Sequence, residues 1–170
     1  MELKTYLKQM YDYTYWANKR YIAVAEGLGE EQLHRKQGHS WDSVHGVLLH
    51  MLSSETRWLM RWAGEAPREH LAPADFPTLA SVTKRWGSVE AEMHAFREAQ
   101  SEQSLLASVA YTNFQGETFQ LPLWQMMAHV VNHETHHRGE LAAMFALMNV
   151  PHPEEEAVQY FLHTSGQKRL

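Results

Sequence analysis

Cysteine is absent from the 170 residues. No disulfide, thiolate ligand or cysteine nucleophile is therefore available, and any transition-metal site must be built from histidine, carboxylate and water. Long apolar runs are missing too. The longest, Val47-Leu-Leu-His-Met-Leu52, is far too short to span a bilayer and belongs in a core. The N-terminal residues Met1-Glu-Leu-Lys-Thr-Tyr mix charged and apolar side chains, with no basic segment leading into an apolar run and a cleavage site, so a cytoplasmic protein is expected. Positive charge is in deficit: 15 Lys and Arg face 20 Asp and Glu, a net charge of −5 with neutral histidines. The basic residues are scattered rather than striped, which leaves no electrostatic footprint for nucleic acid. The chain also lacks a Gly-rich phosphate loop, a defensible Ser-His-Asp order, internal repeats and an interdomain linker. A single domain over 1–170 is expected, long enough to bury a core without staples.

Four long segments carry helical periodicity. The first runs from about Leu3 to Leu28, with Leu3, Leu7, Met10, Thr14, Ala17, Tyr21 and Val24 recurring at threes and fours until Gly27 and Gly29 end it. The second starts near Ser43 and reaches Trp62, with Ser40, Asp42 or Ser43 available as its N-cap and Ala63-Gly64 as its stop. Pro67, Pro73 and Pro77 make residues 64–77 a loop. A third helix spans about Thr78 to Gln100 on the rhythm Leu79, Val82, Trp86, Val89, Met93, Phe96. Residues 109–121 are β-branched and aromatic around Gln115-Gly116, the pattern of a small hairpin. Pro122 suits the first position of a fourth helix that runs to about Met148, where Asn149, Pro151 and Pro153 close it, and a short helix is expected around Glu155–His163. The fold class is all-α, a four-helix bundle.

What the chain has in abundance is histidine, 12 residues in all. Residues 129–137 read His129-Val-Val-Asn-His133-Glu134-Thr-His136-His137 within the fourth helix. At about 100° per residue, Met126, Met127, Val130, Leu141, Met144, Phe145 and Met148 share one inward arc. Glu134 and His137 fall inside that arc and His133 lies at its edge, whereas His129 and His136 lie further toward solvent. Two inward imidazoles one turn apart are costly to bury unless something bonds their nitrogens, so His133 and His137 point to a metal ion. His129 with His133 has the same spacing and a worse orientation. Bundles build metal sites from facing helices, so a third ligand should come from another helix: His50 within the apolar run, or His45 or Glu55 instead. The segment also satisfies H-E-x-x-H, the zinc-peptidase pattern in which Glu134 would be the general base. Its extended form fails, because positions 140 and 143 are Glu and Ala. Glu134 is the candidate catalytic residue, as a base or as a partner of a ligand. Tyr13, Trp16 and Asn18 read as core packing on the first helix, and Arg138 and Glu140 as surface or ligand-supporting groups.

Taken together these motifs resemble the DinB family of damage-inducible, DinB/YfiT-like metal-binding bundles. Tyr13…Trp16-Ala17-Asn18 resembles its first-helix motif, Ser43-Val-His-Gly46-Val-Leu-Leu-His50 the start of its second helix, and Pro122-Leu-Trp…His129-Val-Val-Asn-His133-Glu-Thr-His-His137-Arg138-Gly139-Glu140 its fourth-helix signature. The resemblance implies an up-down-down-up bundle and a zinc or nickel ion on His50, His133 and His137, with water completing the coordination. It also implies a homodimer and transfer or isomerisation of a small substrate with a low-molecular-weight thiol. Three protein ligands leave a position open for such chemistry, whereas a fourth would close the site and favour a non-catalytic, stress-associated metal-binding module. Glu140, where the family often has glutamine, and the acidic Glu154–Glu156 segment depart from the pattern.

Overall fold

The computed structural model describes residues 2–166; the outermost ends of the expected 1–170 domain lie outside the described residues. Its elements are α1 (Leu3–Glu26), α2 (Glu30–Leu33), α3 (Val44–Trp62), a 3-10 turn (Pro73–Asp75), α4 (Leu79–Glu98), α5 (Glu102–Leu106), β1 (Ser108–Thr112), β2 (Thr118–Pro122), α6 (Leu123–Leu147) and α7 (Ala157–Thr164). The punctuation works largely as the sequence implies. Ser43 caps α3 by accepting from the Gly46 N–H, and Thr78 caps α4 by accepting from the Ser81 N–H. Asn149, at φ 55°, ends the α6 segment in the left-handed region. α1 stops at Glu26 rather than at Leu28, and Gly29 opens the short α2, which the residue pattern does not announce. Pro122 is not the first helical residue. It ends β2 in extended conformation at ψ 135°, and the helix begins one residue later.

Side-chain pairs fix the directions of the four long helices. Asp12 meets Arg97 and Lys19 meets Glu90, so α1 and α4 are antiparallel. Asn18 meets Glu134 and Tyr21 stacks on Phe145, so α1 and α6 are parallel. Trp58 meets His129 and His50 meets His133, so α3 and α6 are antiparallel. Glu55 meets Trp86 and Trp62 stacks on Phe96, so α3 and α4 run the same way. The result is an up-down-down-up bundle in which residues 63–78 carry the chain back between the parallel pair. The β1–β2 hairpin, paired from Ser108↔Pro122 to Thr112↔Thr118, covers the start of α6.

Two apolar clusters fill the bundle. One gathers Tyr21, Leu48, Val82, Trp86, Leu141 and Phe145, and the other Leu7, Tyr11, Trp58, Met93, Met126 and Val130. Buried polar groups lie among them. Glu55 accepts from Tyr15 Oη at 2.7 Å and from Trp86 Nε1 at 3.1 Å. Burial, then the neighbouring Glu134, pushes the Glu55 carboxyl well above the usual carboxylate range. Arg138, expected as a surface or ligand-supporting group, is fully buried and not at the surface, and donates to Asn18 Oδ1 at 2.9 Å, Thr135 Oγ1 at 3.0 Å, Tyr13 Oη at 3.2 Å and the Glu155 carboxylate. Its position follows from the inward arc of α6, since an arginine there must find acceptors for its donors. Asn18 joins this group to Glu134 Oε2 at 2.8 Å. The Tyr13…Trp16…Asn18 segment is thus packing on one side and a polar brace on the other, with Trp16 and Tyr13 also holding Tyr160 of α7. Among the described residues, no helix is long and apolar enough to cross a membrane.

Candidate metal centre

One helical turn separates His133 from His137 on α6, and the antiparallel α3 brings His50 opposite them. Their Nε2 atoms converge: His50 Nε2 to His133 Nε2 is 3.0 Å, and His133 Nε2 to His137 Nε2 is 3.1 Å. These separations approach the roughly 3.3 Å between two ligands on a tetrahedral ion with bonds of about 2.0–2.1 Å. His137 Nδ1 lies 2.6 Å from Glu140 Oε2, which fixes the proton on Nδ1 and leaves the Nε2 lone pair aimed into the cluster. His133 Nδ1 and Glu134 Oε1 lie 3.5 Å apart, both buried and both without a hydrogen-bond partner. A small rotation of His133 would pair them, orient this imidazole in the same sense and satisfy both atoms. The donor set, three neutral imidazoles with carboxylates behind two of them, fits a divalent transition ion better than magnesium or calcium.

Burial keeps these imidazoles neutral. It pushes the His50 pKa down to about 2, with the His137 and His133 rings adding to the effect, and the His133 pKa down to about 4, with the Arg57 charge adding. His137 is lowered by the same burial against the raising contact with Glu140. Protons compete with a metal only near the ligands' own pKa values. Metal is therefore expected to stay bound as pH falls through the ordinary histidine range near 6.5 and to leave at more acid pH; release centred at pH 6.5 in a metal-indicator titration would contradict this. In the metal-free protein the same shifts mean that the unfolded chain binds more protons below about pH 6.5. Its stability should fall as pH drops through that range.

The alternatives weighed from the sequence lie elsewhere. Glu55 is held by Tyr15 and Trp86, and the His45 ring packs 4.4 Å from that of His34. His129 is exposed with its edge toward Trp58, and His136 is exposed with Nε2 3.3 Å from Glu140 Oε1. Two groups among the described residues could hold a metal ion: His50, His133 and His137; and His136, His137 and Glu140. The second shares His137 with the first and uses the carboxylate that orients it. Glu134 is fully buried behind His133, tied to Asn18, rather than facing open space.

Two residues next to the cluster carry no periodic signal in the sequence. Trp41 stacks on His50 with ring centroids 4.0 Å apart and planes at 15°. It is placed by a tight loop in which Gly38, Ser40 and Asp42 all have positive φ, of 73°, 52° and 68°. Strain of that kind is sustained only when surroundings over-determine it. Here Ser40 Oγ donates to Glu140, and the Trp41 carbonyl oxygen sits where a Cβ on Gly46 would be, 2.1 Å away. Gly46 in the first turn of α3 was the available clue. His70, in the Pro-containing loop, has Nδ1 3.3 Å from Ser53 Oγ and its ring 5.4 Å from that of His50. Trp41, His45, Leu49, His50 and His70 border a cavity of about 610 Å3 that opens beside the cluster on the His50 side.

The profile of the DinB family matches residues 1–164. The chain belongs to the DinB family. It is 25% identical over 141 residues to Protein DinB of Bacillus subtilis (strain 168), covering 80% of this chain and 82% of the relative. Its fold is similar to that of a DinB-like protein from Bacillus cereus ATCC 10987, with a TM-score of 0.63 at 16% identity over 87% of this chain and 94% of the other. At that identity the likeness concerns the DinB fold, and the site argument rests on this chain's own residues.

Proposed function

We propose that this DinB-family protein binds one zinc or nickel ion through His50, His133 and His137 and uses it to activate a low-molecular-weight thiol for transfer to, or isomerisation of, a small molecule. The observation that carries this reading is the convergence of three Nε2 atoms on one point beside a cavity, with no fourth protein ligand in the cluster among the described residues. A bound divalent ion would supply Lewis acidity, lowering the pKa of a thiol or water in the open position. The protein's residues do the rest. Glu140 orients His137, Glu134 stands 3.5 Å from His133 Nδ1 where a small rotation would let it do the same, Trp41 fixes the plane of His50, and the cavity of about 610 Å3 has room for a small substrate rather than an extended chain. A thiol must come from outside, because the chain has no cysteine.

Peptide hydrolysis through the His133-Glu134-x-x-His137 pattern is the weaker reading, because Glu134 lies buried behind its histidine instead of beside the open position. Glu134 is better placed to position His133. Glu134→Gln is expected to retain stoichiometric metal at saturating concentration and to lower thiol-dependent turnover by about 10- to 100-fold. A screen of the cobalt-loaded protein against glutathione, bacillithiol, mycothiol and simple thiols tests the function itself. A sulfur-to-metal charge-transfer band with any of them supports it. No band with any thiol, together with peptide cleavage lost in Glu134→Gln, would replace it by the peptidase reading.

A further inference from the structure

Arg57 and Arg61 follow His50 by two and three turns on α3, so all three lie on one face. Both arginines are more than nine-tenths buried, at 9% and 7% exposure. Buried guanidiniums are ordinarily compensated by carboxylates. These are not: among the described residues neither has an ion-pair partner, although Arg97 and Arg138 each have one. Arg57 Nε donates to the Ser53 carbonyl at 3.2 Å, which folds its head back along the helix toward His50, and its other nitrogens donate to no acceptor among the described residues. Arg61 Nε is buried without a partner.

Aromatic rings take the place of acids. The Arg57 guanidinium lies 4.7 Å from the Phe114 centroid, and that of Arg61 lies 4.8 Å from Trp58 and 5.7 Å from both Tyr111 and Phe114. Stacking holds the planes still while leaving the N–H edges free to donate, the arrangement in which a planar fork receives an oxyanion. Phe114 also packs 5.0 Å from His70, whose ring lies 5.4 Å from that of His50, so Phe114 and His70 link the arginines to the candidate metal centre. Burial, and after it the nearby Arg61, pushes the Arg57 pKa down to about 10.

We propose that Arg57 and Arg61 form an oxyanion-binding subsite beside the tri-histidine cluster, so that the small molecule handled there carries a carboxylate or phosphate group. That the anion belongs to the small molecule handled at the metal rests on the proposed function; the subsite itself needs no metal. An anion bridging the two guanidiniums would supply the compensation that the protein leaves out, through charge-assisted, bidentate hydrogen bonds. In a chain of net charge −5 this local excess of positive charge is a deliberate departure from the general balance.

The test compares 3-mercaptopropionate, 2-mercaptoethanol and cysteamine, thiols that are anionic, neutral and cationic at the far end. Calorimetry reads binding to the metal-free protein, and the charge-transfer band reads it on the cobalt-loaded protein. The anionic thiol should bind about ten-fold or more tighter than the neutral one. Propionate or inorganic phosphate should compete, the stronger competitor identifying the group. Arg57→Gln and Arg61→Met should erase the preference while leaving the band with 2-mercaptoethanol intact. Arg61→Met should also leave thermal stability unchanged or higher, since an uncompensated buried cation is being replaced by an apolar chain of similar length. Equal binding of anionic and neutral thiols, or a preference that survives both substitutions, overturns the subsite. Failure of the metal reading looks different: no cobalt band with any thiol, while the metal-free protein still binds propionate or phosphate and loses that binding in the arginine variants.

Discussion

Alanine at His133, His137 or His50 is expected to abolish stoichiometric binding of a divalent transition metal, while alanine at His129 or His136 leaves it in place. Each of the three histidines contributes one Nε2 to a cluster whose nitrogens lie 3.0 and 3.1 Å apart, so removing one would leave an ion two donors and two open positions. The loss should exceed the roughly 10- to 100-fold that follows from disturbing an outer carboxylate. The discrimination within α6 is sharp because His136 and His137 are neighbours in sequence, yet His137 is buried and His136 exposed. Metal analysis of the five variants, purified without a histidine tag, decides the matter. Metal lost from the His136 variant and retained in the His50 and His133 variants would reverse the assignment and favour the group of His136, His137 and Glu140; metal retained in the His137 variant would count against both groups.

The largest effect on stability is expected at Arg138, away from metal chemistry. Truncation to Ala leaves the buried Asn18 and Tyr13, the partly buried Glu155 and the exposed Thr135 without their shared donor. Breaking a buried ion pair from one side costs about 3–5 kcal/mol. For a chain of this size that corresponds to a fall in melting temperature of roughly 6–20 °C. Arg138→Lys should recover only part of it, because an ammonium cannot present the fork that reaches four partners. Thermal unfolding followed by circular dichroism reads both variants. A melting temperature for Arg138→Ala within a degree or two of the parent would mean that this network contributes little.

Arg138 also illustrates what was legible in the chain. The inward arc of α6 could be read from its apolar spacing, and with it the burial of Glu134 and His137, because helical geometry alone sets which residues share a face. The same arc contained Arg138, but its partners lie 120 and 125 residues away on α1 and 17 residues on, in the segment before α7. Periodicity says that a residue turns inward and does not say what meets it. His50 was visible for the same reason as His137, as a polar residue within an apolar run, but choosing it over His45 or Glu55 required the family resemblance. In the structure the antiparallel placement of α3 and α6 brings His50, rather than His45 or Glu55, to His133 and His137. Trp41 and His70 were not legible, since both lie in loops where positive φ angles and prolines, not a repeating pattern, determine direction. The short α2 and α5 were missed because four or five residues are too few to show a period.

The most direct measurement is the absorption spectrum and stoichiometry of the untagged protein titrated with Co2+, first alone and then with a small thiol. About one ion per chain is expected, with the intense visible bands of a four-coordinate site and a new charge-transfer band when the thiol is added. Binding well below one ion per chain, or the weak spectrum of a six-coordinate ion that a thiol does not change, would contradict an open tri-histidine centre.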